Sequence, residues 1–445
     1  MGDMPTTYRP YTPDQLLLLP SSLKEWLPEG HLAWFVSDAV DALDLAAFHA
    51  RYAGDGRRCQ PFDPAMMVKV LVYAYASGVF SSRKIARSLE QDVAFRVLGA
   101  DNFPAHRTIR EFRQVHLAEF SSLFVQVVQL AREAGLVKLG RIGIDGTKIK
   151  ANASKRKAMS YGRMREREVQ LKAEIETLTR QAEQQDAAED REHGADRRGD
   201  ELPQELARRD KRLKAIQAAK ARLEARQREQ DRQEGRHQDD EGNTRGPGGG
   251  VCKRPFGQPE AKAQDNFTDP QSRIMKTGNG FEQCYNAQAA VDESGLIVAT
   301  EVIDAGNDSH HLVAMVEATQ KNTGALPQMT LADSGYASEA NFAALEALQA
   351  PACVALGREG GKVRRIDPDQ HPASARMAQR MSTEEGQAHY RRRKVIPEPV
   401  FGWIKQAMGF GQFSVRGLAR VNGEWNLVCL AQNLRRMHRL GWMAA

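Results

Sequence analysis

Apolar residues recur every three to four positions in HLAWFVSDAVDALDL, PAMMVKVLVYAYASGVF and LAEFSSLFVQVVQLAREAGLV, so residues 1 to about 138 are expected to be helical. Pro61 and Pro64 punctuate before the second of these segments, and Gly135 follows the third. Between them, SSRKIARSLEQDVAFRVLGADNFPAHRTIREFRQVH reads as two or three short helices turning at GADNFPAH. Thr108 stands as a candidate N-cap, with Glu111 at the capping-box position. At RIGIDGTKIK the period changes to two. Asp145 is expected to end a short strand there, and Gly146 to turn the chain. The strand pattern resumes only near residue 281, where YNAQAAV and LIVATEVI form a hairpin around DESG. A helix in DSHHLVAMVEATQKNTG follows, then a strand in QMTLADSG that again ends on an acid, Asp333. A helix beginning near Ser338, a strand in ACVALG, a helix after YRRRKVIPEPVFGWIKQAM and a last helix in WNLVCLAQNLRRMHRL complete the pattern. Strands alternating with helices in this way predict an α/β layered domain with a mixed sheet.

The interval 152–261 differs in kind. Met164, Leu171, Ile175 and Leu178 fall at near-heptad spacing, as do Leu206, Leu213, Ile216 and Leu223. Two antiparallel helices along a thin apolar seam are expected, followed by a flexible DEGNTRGPGGG. The interval reads as an insertion, a spacer or dimer prop, in a domain whose first strand has just ended. The chain therefore divides into a helical domain over 1–138, an α/β domain over 139–151 and 262–445, and the insert over 152–261.

Composition narrows the picture only modestly. A chain of 445 residues accommodates two to three domains, and a net charge of +6 permits a polyanionic partner without requiring one. Its five cysteines are scattered with no CxxC pair, which fits a reducing cytosol and argues against a zinc knot or a disulfide framework. MGDMPTTYRPYTPDQ lacks the layout of a signal peptide. The most apolar run, AMMVKVLVYAYASGVF, contains Lys69 and reads as a core helix rather than a membrane span.

The chemistry rests on a set of acids. Asp145 and Asp333 each end a strand, where open α/β sheets gather their sites, and Glu398 starts a helix beside the basic run Arg391, Arg392, Arg393 and Lys394. If the two strands are neighbours, their carboxylates face one gap, and convergent carboxylates repel unless cations lie between them. Oxygen ligands in low number suit Mg²⁺ or Mn²⁺, and two such ions serve phosphodiester chemistry. Alone, each acid would read more simply as a turn, cap or helix-dipole residue.

These segments together resemble a DDE transposase of bacterial insertion sequences. The resemblance runs through YRPYTPDQLLLLP, PAHRTIREFR, GIDGTKIKANAS, TDPQSRIMKT, CYNAQAAVD, LADSGYAS and YRRRKVIPEPVFGWIK to GEWNLVCLAQNLRRM, nearly the whole chain except the helical insert. It implies an RNase H-like catalytic domain and Asp145, Asp333 and Glu398 as both catalytic residues and metal ligands. In one branch of that family the third acid carries a Tyr-x2-Arg-x3-Glu-x6-Lys signature. Here Lys405 has the x6 spacing from Glu398, while Tyr390 lies one residue too far, so that either Arg393 or Lys394 fills the arginine position.

The resemblance further implies Mg²⁺ or Mn²⁺, as two ions, and cleavage and strand transfer at terminal inverted repeats. The partners would be those repeats and target DNA, bound by a homodimer in the bacterial cytoplasm, at the nucleoid. DNA contacts are expected from Tyr390, Arg393, Lys394, Lys405, Lys148, Arg273 and Lys276. A basic helix-turn-helix face carrying Arg107, Arg110 and Arg113 is expected to add to them. Trp403 is expected to pack in a core rather than stack on a base, and Asp308 to cap a helix or stand behind the other acids. The competing readings are a transposase-derived protein that only binds DNA and an endonuclease of the same fold.

Overall fold

A computed structural model of the chain describes residues 22–52, 61–193, 201–239, 242–246, 250–278, 280–306, 308–357 and 366–442. The motif YRPYTPDQ and the N-terminal stretch read for a signal peptide lie outside the described residues.

Among the described residues, the fold opens with helices α1 (Leu32–Asp41), α2 (Ala46–Ala50), α3 (Pro64–Ala76), α4 (Ser82–Gln91), α5 (Val93–Gly99), α6 (His106–Val115) and α7 (Leu117–Glu133). The apolar periodicity is borne out, and α4 to α6 are the short helices expected between the long ones. The capping box is not. Helix α6 starts at His106 after an Ala105 cap without a side-chain hydrogen bond, so Thr108 already lies in its first turn.

Strand β1 (Arg141–Lys150) follows, and the insert is held at a neck formed by β2 (Ala158–Ser160) and β5 (Gln264–Asn266). Between these lie α8 (Tyr161–His193), α9 (Glu201–Gln233) and a small hairpin of β3 (His237–Gln238) with β4 (Thr244–Arg245). That hairpin takes up part of DEGNTRGPGGG, the stretch expected to be flexible; residues 240, 241 and 247–249 lie outside the description. Met164 and Leu171 of α8 meet Leu213, Ile216 and Leu223 of α9 in a core of their own, separate from the main one.

The remaining strands are β6 (Arg273–Thr277), β7 (Gly280–Asp292), β8 (Ile297–Ile303), β9 (Met329–Ala332) and β10 (Ala352–Val354). The remaining helices are α10 (Leu312–Thr323), α11 (Glu339–Ala347), α12 (Pro372–Ser382), α13 (Glu384–Arg391), α14 (Pro397–Gly402) and α15 (Leu418–Arg439). The sheet runs β10-β9-β1-β7, with β6 and β8 pairing with successive halves of β7. Strands β1, β9 and β10 are parallel, while β7 runs antiparallel to β1, β6 and β8. This is the expected mixed sheet. Strand β6 was not expected: RIMKT presents a half-exposed Ile274 at a sheet edge and so lacks clean alternation.

Helix α15 joins the two ends of the chain. It packs on α7 and α3 from the helical region and on β8 of the sheet, so one continuous apolar core spans both. At its centre Glu424, fully buried, accepts from Tyr75 Oη at 2.9 Å and from the Ser414 amide at 2.7 Å. Arg113 of α6 completes the group, donating to Tyr75 Oη at 3.2 Å and to the Phe80 carbonyl at 2.8 Å. This corrects the expectation that Arg113 faces DNA. It is 4% exposed and follows Ile109 and Phe112 onto the inward face of α6, whereas Arg107 and Arg110 are exposed.

Candidate catalytic centre

Strand β1 pairs with β9 in parallel, with Ile144 opposite Ala332. The next residue on each strand is an aspartate, so Asp145 and Asp333 stand side by side, as neighbouring strands lie about 4.8 Å apart. Asp333 directly follows β9 and caps a short 3-10 turn, accepting from the Gly335 amide at 2.8 Å. Asp145 differs from its expectation. It is not at a strand end, because β1 continues through Gly146 to Lys150, paired with β7 throughout.

Gly146 is needed for space rather than for a turn. A Cβ there would lie 2.3 Å from Gln288 Nε2, 2.7 Å from Asn286 Oδ1 and 3.1 Å from Asp308 Oδ1. Those side chains form a network that sequence reasoning passed over. Asn286 Nδ2 and Gln288 Nε2 both donate to Asp308 Oδ1 at 2.6 Å, and the buried Tyr336 hydroxyl donates to Gln288 Oε1. The available signal was a pair of amides, Asn286 and Gln288, alternating within the otherwise apolar and fully buried middle of β7. Asp308 thus turns its carboxylate toward this network, and His311 occupies the N-cap position of α10 that Asp308 was expected to fill. Gly146→Ala is expected to lower stability by about 1–3 kcal/mol through overpacking and to slow any reaction at Asp145. Urea midpoints measured beside reaction rates check this; wild-type values in both would show that the amides yield freely.

The charges of Asp333 and Asp308 bear on Asp145. The Asp145 carboxyl is pushed up to about 6, first by burial and then, against the Gly146 amide that pulls it down, by the charge of Asp333. Arg393 lowers it, and Asp308 raises it further. The Tyr336 phenol is held far above its ordinary range by burial and then by Asp308, Asp145 and Asp333.

Two cations approach this group. Arg393 is 9% exposed, lies over the Tyr390 ring with its Cζ 5.8 Å from the centroid, and its charge reaches Asp145. Lys394 points outward. Lys405 sits on a π-helical segment, Trp403–Ala407, where its ammonium is lowered by burial and bears on Cys284, Asp145 and Lys148. Such π segments often accompany functional sites.

Glu398 occupies the first turn of α14, exposed, and α14 packs on β1 and β7. The packing is close: a Cβ on Gly143, two residues before Asp145, would lie 2.7 Å from Pro397 Cδ. Ile396 is helical (φ −87°, ψ −64°) despite preceding a proline, because its buried side chain is held against Gly143.

Among the described residues, no three His, Cys, Asp or Glu side chains are gathered closely enough to hold a metal ion. The donor set still fits a hard divalent cation in part. It offers two adjacent carboxylates, the half-buried Asp145 and Asp333, with Glu398 on the neighbouring helix.

Of the remaining basic residues, Lys148 is exposed on β1 and its charge reaches Lys405. Lys276 is exposed on β6. Arg273 is committed internally, to Asp304 and to the carbonyls of Pro270 and Ser272, at 2.8 Å and 2.9 Å respectively. Both its terminal nitrogens are thus engaged inside the fold, in place of the expected role as a phosphate ligand.

Comparison with family models matches residues 251–434 to the transposase DDE domain and residues 21–115 to a transposase domain (DUF772). The chain belongs to the DDE transposases. The transposase's mixed sheet and flanking helices are those of an RNase H-like DDE domain, in an enzyme family that cleaves and joins DNA with divalent metal ions. The DDE match begins beyond α9, so β1 and Asp145 lie outside it, cut off by the insert. No curated protein and no solved structure matches the chain. No described helix is long and apolar enough to cross a membrane.

Proposed function

We propose that this transposase binds the terminal inverted repeats of its own insertion sequence, cuts one strand at each end, and transfers the freed 3′-hydroxyl to a second phosphodiester. The observation that carries the reading is the parallel register that sets Asp145 beside Asp333. Asp145, Asp333 and Glu398 would hold Mg²⁺ or Mn²⁺. When bound, such ions supply charge neutralisation at the phosphodiester and a more acidic water.

The chain's own residues do the rest. Arg393, fixed against Tyr390, takes the arginine role over Lys394 because it is buried with its charge on Asp145. Lys405, whose charge bears on Asp145, and Lys148 beside it offer the scissile strand positive charge. Arg107 and Arg110 of α6 present a basic face to the repeat, binding phosphates and so making end recognition salt-dependent. Cutting two ends in register calls for two protomers.

The test uses purified protein and a duplex carrying the inverted repeats that flank its coding region. Metal-dependent cuts at the repeat ends are expected, lost on adding EDTA and reduced in Arg393→Ala more than in Lys394→Ala. Binding without cleavage under any of these conditions would instead favour a transposase that has become a DNA-binding protein.

A further inference from the structure

A cavity of about 270 Å³ lies along α14 and the π-helical segment that follows it. Pro399 and Trp403 wall it on one side, and Gln432, Arg435 and Arg439 of α15 on the other. Two guanidiniums bear on a single indole: the Cζ of Arg439 is 4.1 Å, and that of Arg435 4.8 Å, from the Trp403 ring centroid. Neither has a carboxylate partner among the described residues. Arg435 donates to the Ala76 carbonyl at 2.7 Å, and Arg439 has only the ring. The acids at the rim are already engaged: Asp292 accepts from the amides of Lys138, Ser294 and Leu296, and Glu293 pairs with Arg141.

Three buried polar atoms around this cavity have no partner among the described residues: Trp403 Nε1, Arg435 Nε and Gln432 Oε1. Trp403 thus does pack in the protein, as its sequence context predicted, but it packs in a polar setting left incomplete. Unpaired donors beside uncompensated positive charge match the acceptor oxygens of a phosphate. The unpaired Gln432 acceptor needs an N–H or O–H donor as well, which a nucleotide base supplies and a fully ionised phosphate does not.

We propose that this cavity binds a phosphodiester, with its nucleotide, of a DNA strand running outside the catalytic centre. The inference rests on the transposase reading above and extends it. Trp403 and Lys405 lie two residues apart on the π-helical segment and so on different faces of it, with Lys405 bearing on Asp145 and Trp403 lining the cavity, which places the cavity beside but outside the catalytic centre. Trp403 and the arginines form a platform of the kind that holds single strands by stacking and charge together.

The proposal is tested by titrating a single-stranded oligodeoxynucleotide, and separately inorganic phosphate, into the full-length protein without metal while following tryptophan fluorescence. Arg439→Ala removes an exposed side chain with no other partner, and an unchanged melting temperature shows that its fold is kept. Trp403→Phe assigns the signal. The oligonucleotide is expected to change the wild-type fluorescence, to bind Arg439→Ala about tenfold more weakly, and to lose about 0.7 from its logarithmic salt slope in that variant. Three results would each overturn the site: no response to the oligonucleotide, equal affinity and slope in Arg439→Ala, or a response to phosphate that the oligonucleotide does not compete away. Each is separable from failure of the transposase reading, which appears as absent metal-dependent cleavage by the wild-type protein.

Discussion

Replacing Asp333 by Asn is expected to reduce strand cleavage by at least about 10³-fold, the scale of several kcal/mol of transition-state stabilisation, while leaving DNA binding intact. The substitution is chosen for what it keeps. Asn retains an oxygen that can accept from the Gly335 amide, so the 3-10 turn after β9 stays capped. It removes the charge that bears on Asp145 across the β1–β9 pair. Cleavage rates with saturating Mn²⁺, measured beside gel-shift affinities for the same duplex, decide the matter. A variant that still cuts at close to the wild-type rate would take Asp333 out of the chemistry and with it the two-aspartate site.

The second large effect concerns stability. Glu424→Ala leaves Tyr75 and Ser414 without their buried acceptor, removes the negative charge that bears on buried Arg113, and is expected to cost about 3–5 kcal/mol. Glu424→Gln keeps an acceptor oxygen and is expected to cost distinctly less. Urea denaturation read by far-ultraviolet circular dichroism compares the two. Because α3, α6 and α15 all contribute to this group, loss should lower the midpoint of the helical region and the sheet together. Unfolding of the helical region alone at lower urea, with the sheet unmoved, would contradict the shared core.

Much of this molecule was legible in its sequence, for identifiable reasons. Long helices such as α3 and α7 announced themselves because each buries a broad apolar face, and the β7–β8 hairpin because both strands are apolar around a Gly295 turn. Asp333 was placed correctly since a strand and a cap both bound it. Asp145 was misplaced within its strand because glycine reads locally as a turn, whereas Gly146 serves three side chains brought in from β7 and the loop before α10. Helices α12 and α13 were missed: α12 buries only Ala373 and Met377, and α13 only Gly386, too little for a periodic signal. Arg113 shows the limit of reading charge alone. Its neighbours at 107 and 110 face solvent, and only the spacing from Ile109 and Phe112 separates it from them. The β1–β9 pairing was not legible at all, since the insert and the hairpin intervene and nothing local records which strands meet.

The continuous core through α15 has a consequence for how the molecule measures DNA. A recognition module on a tether can find its sequence at many distances from the blade that cuts, and the cut position then drifts. Here the helix carrying Arg107 and Arg110 and the paired strands that position Asp145 and Asp333 share one continuous core. On the proposed reading, the interval between the phosphates gripped and the bond broken is a fixed gauge set by side-chain packing, and an element whose ends changed in length could be followed only by a protein whose interior had changed as well.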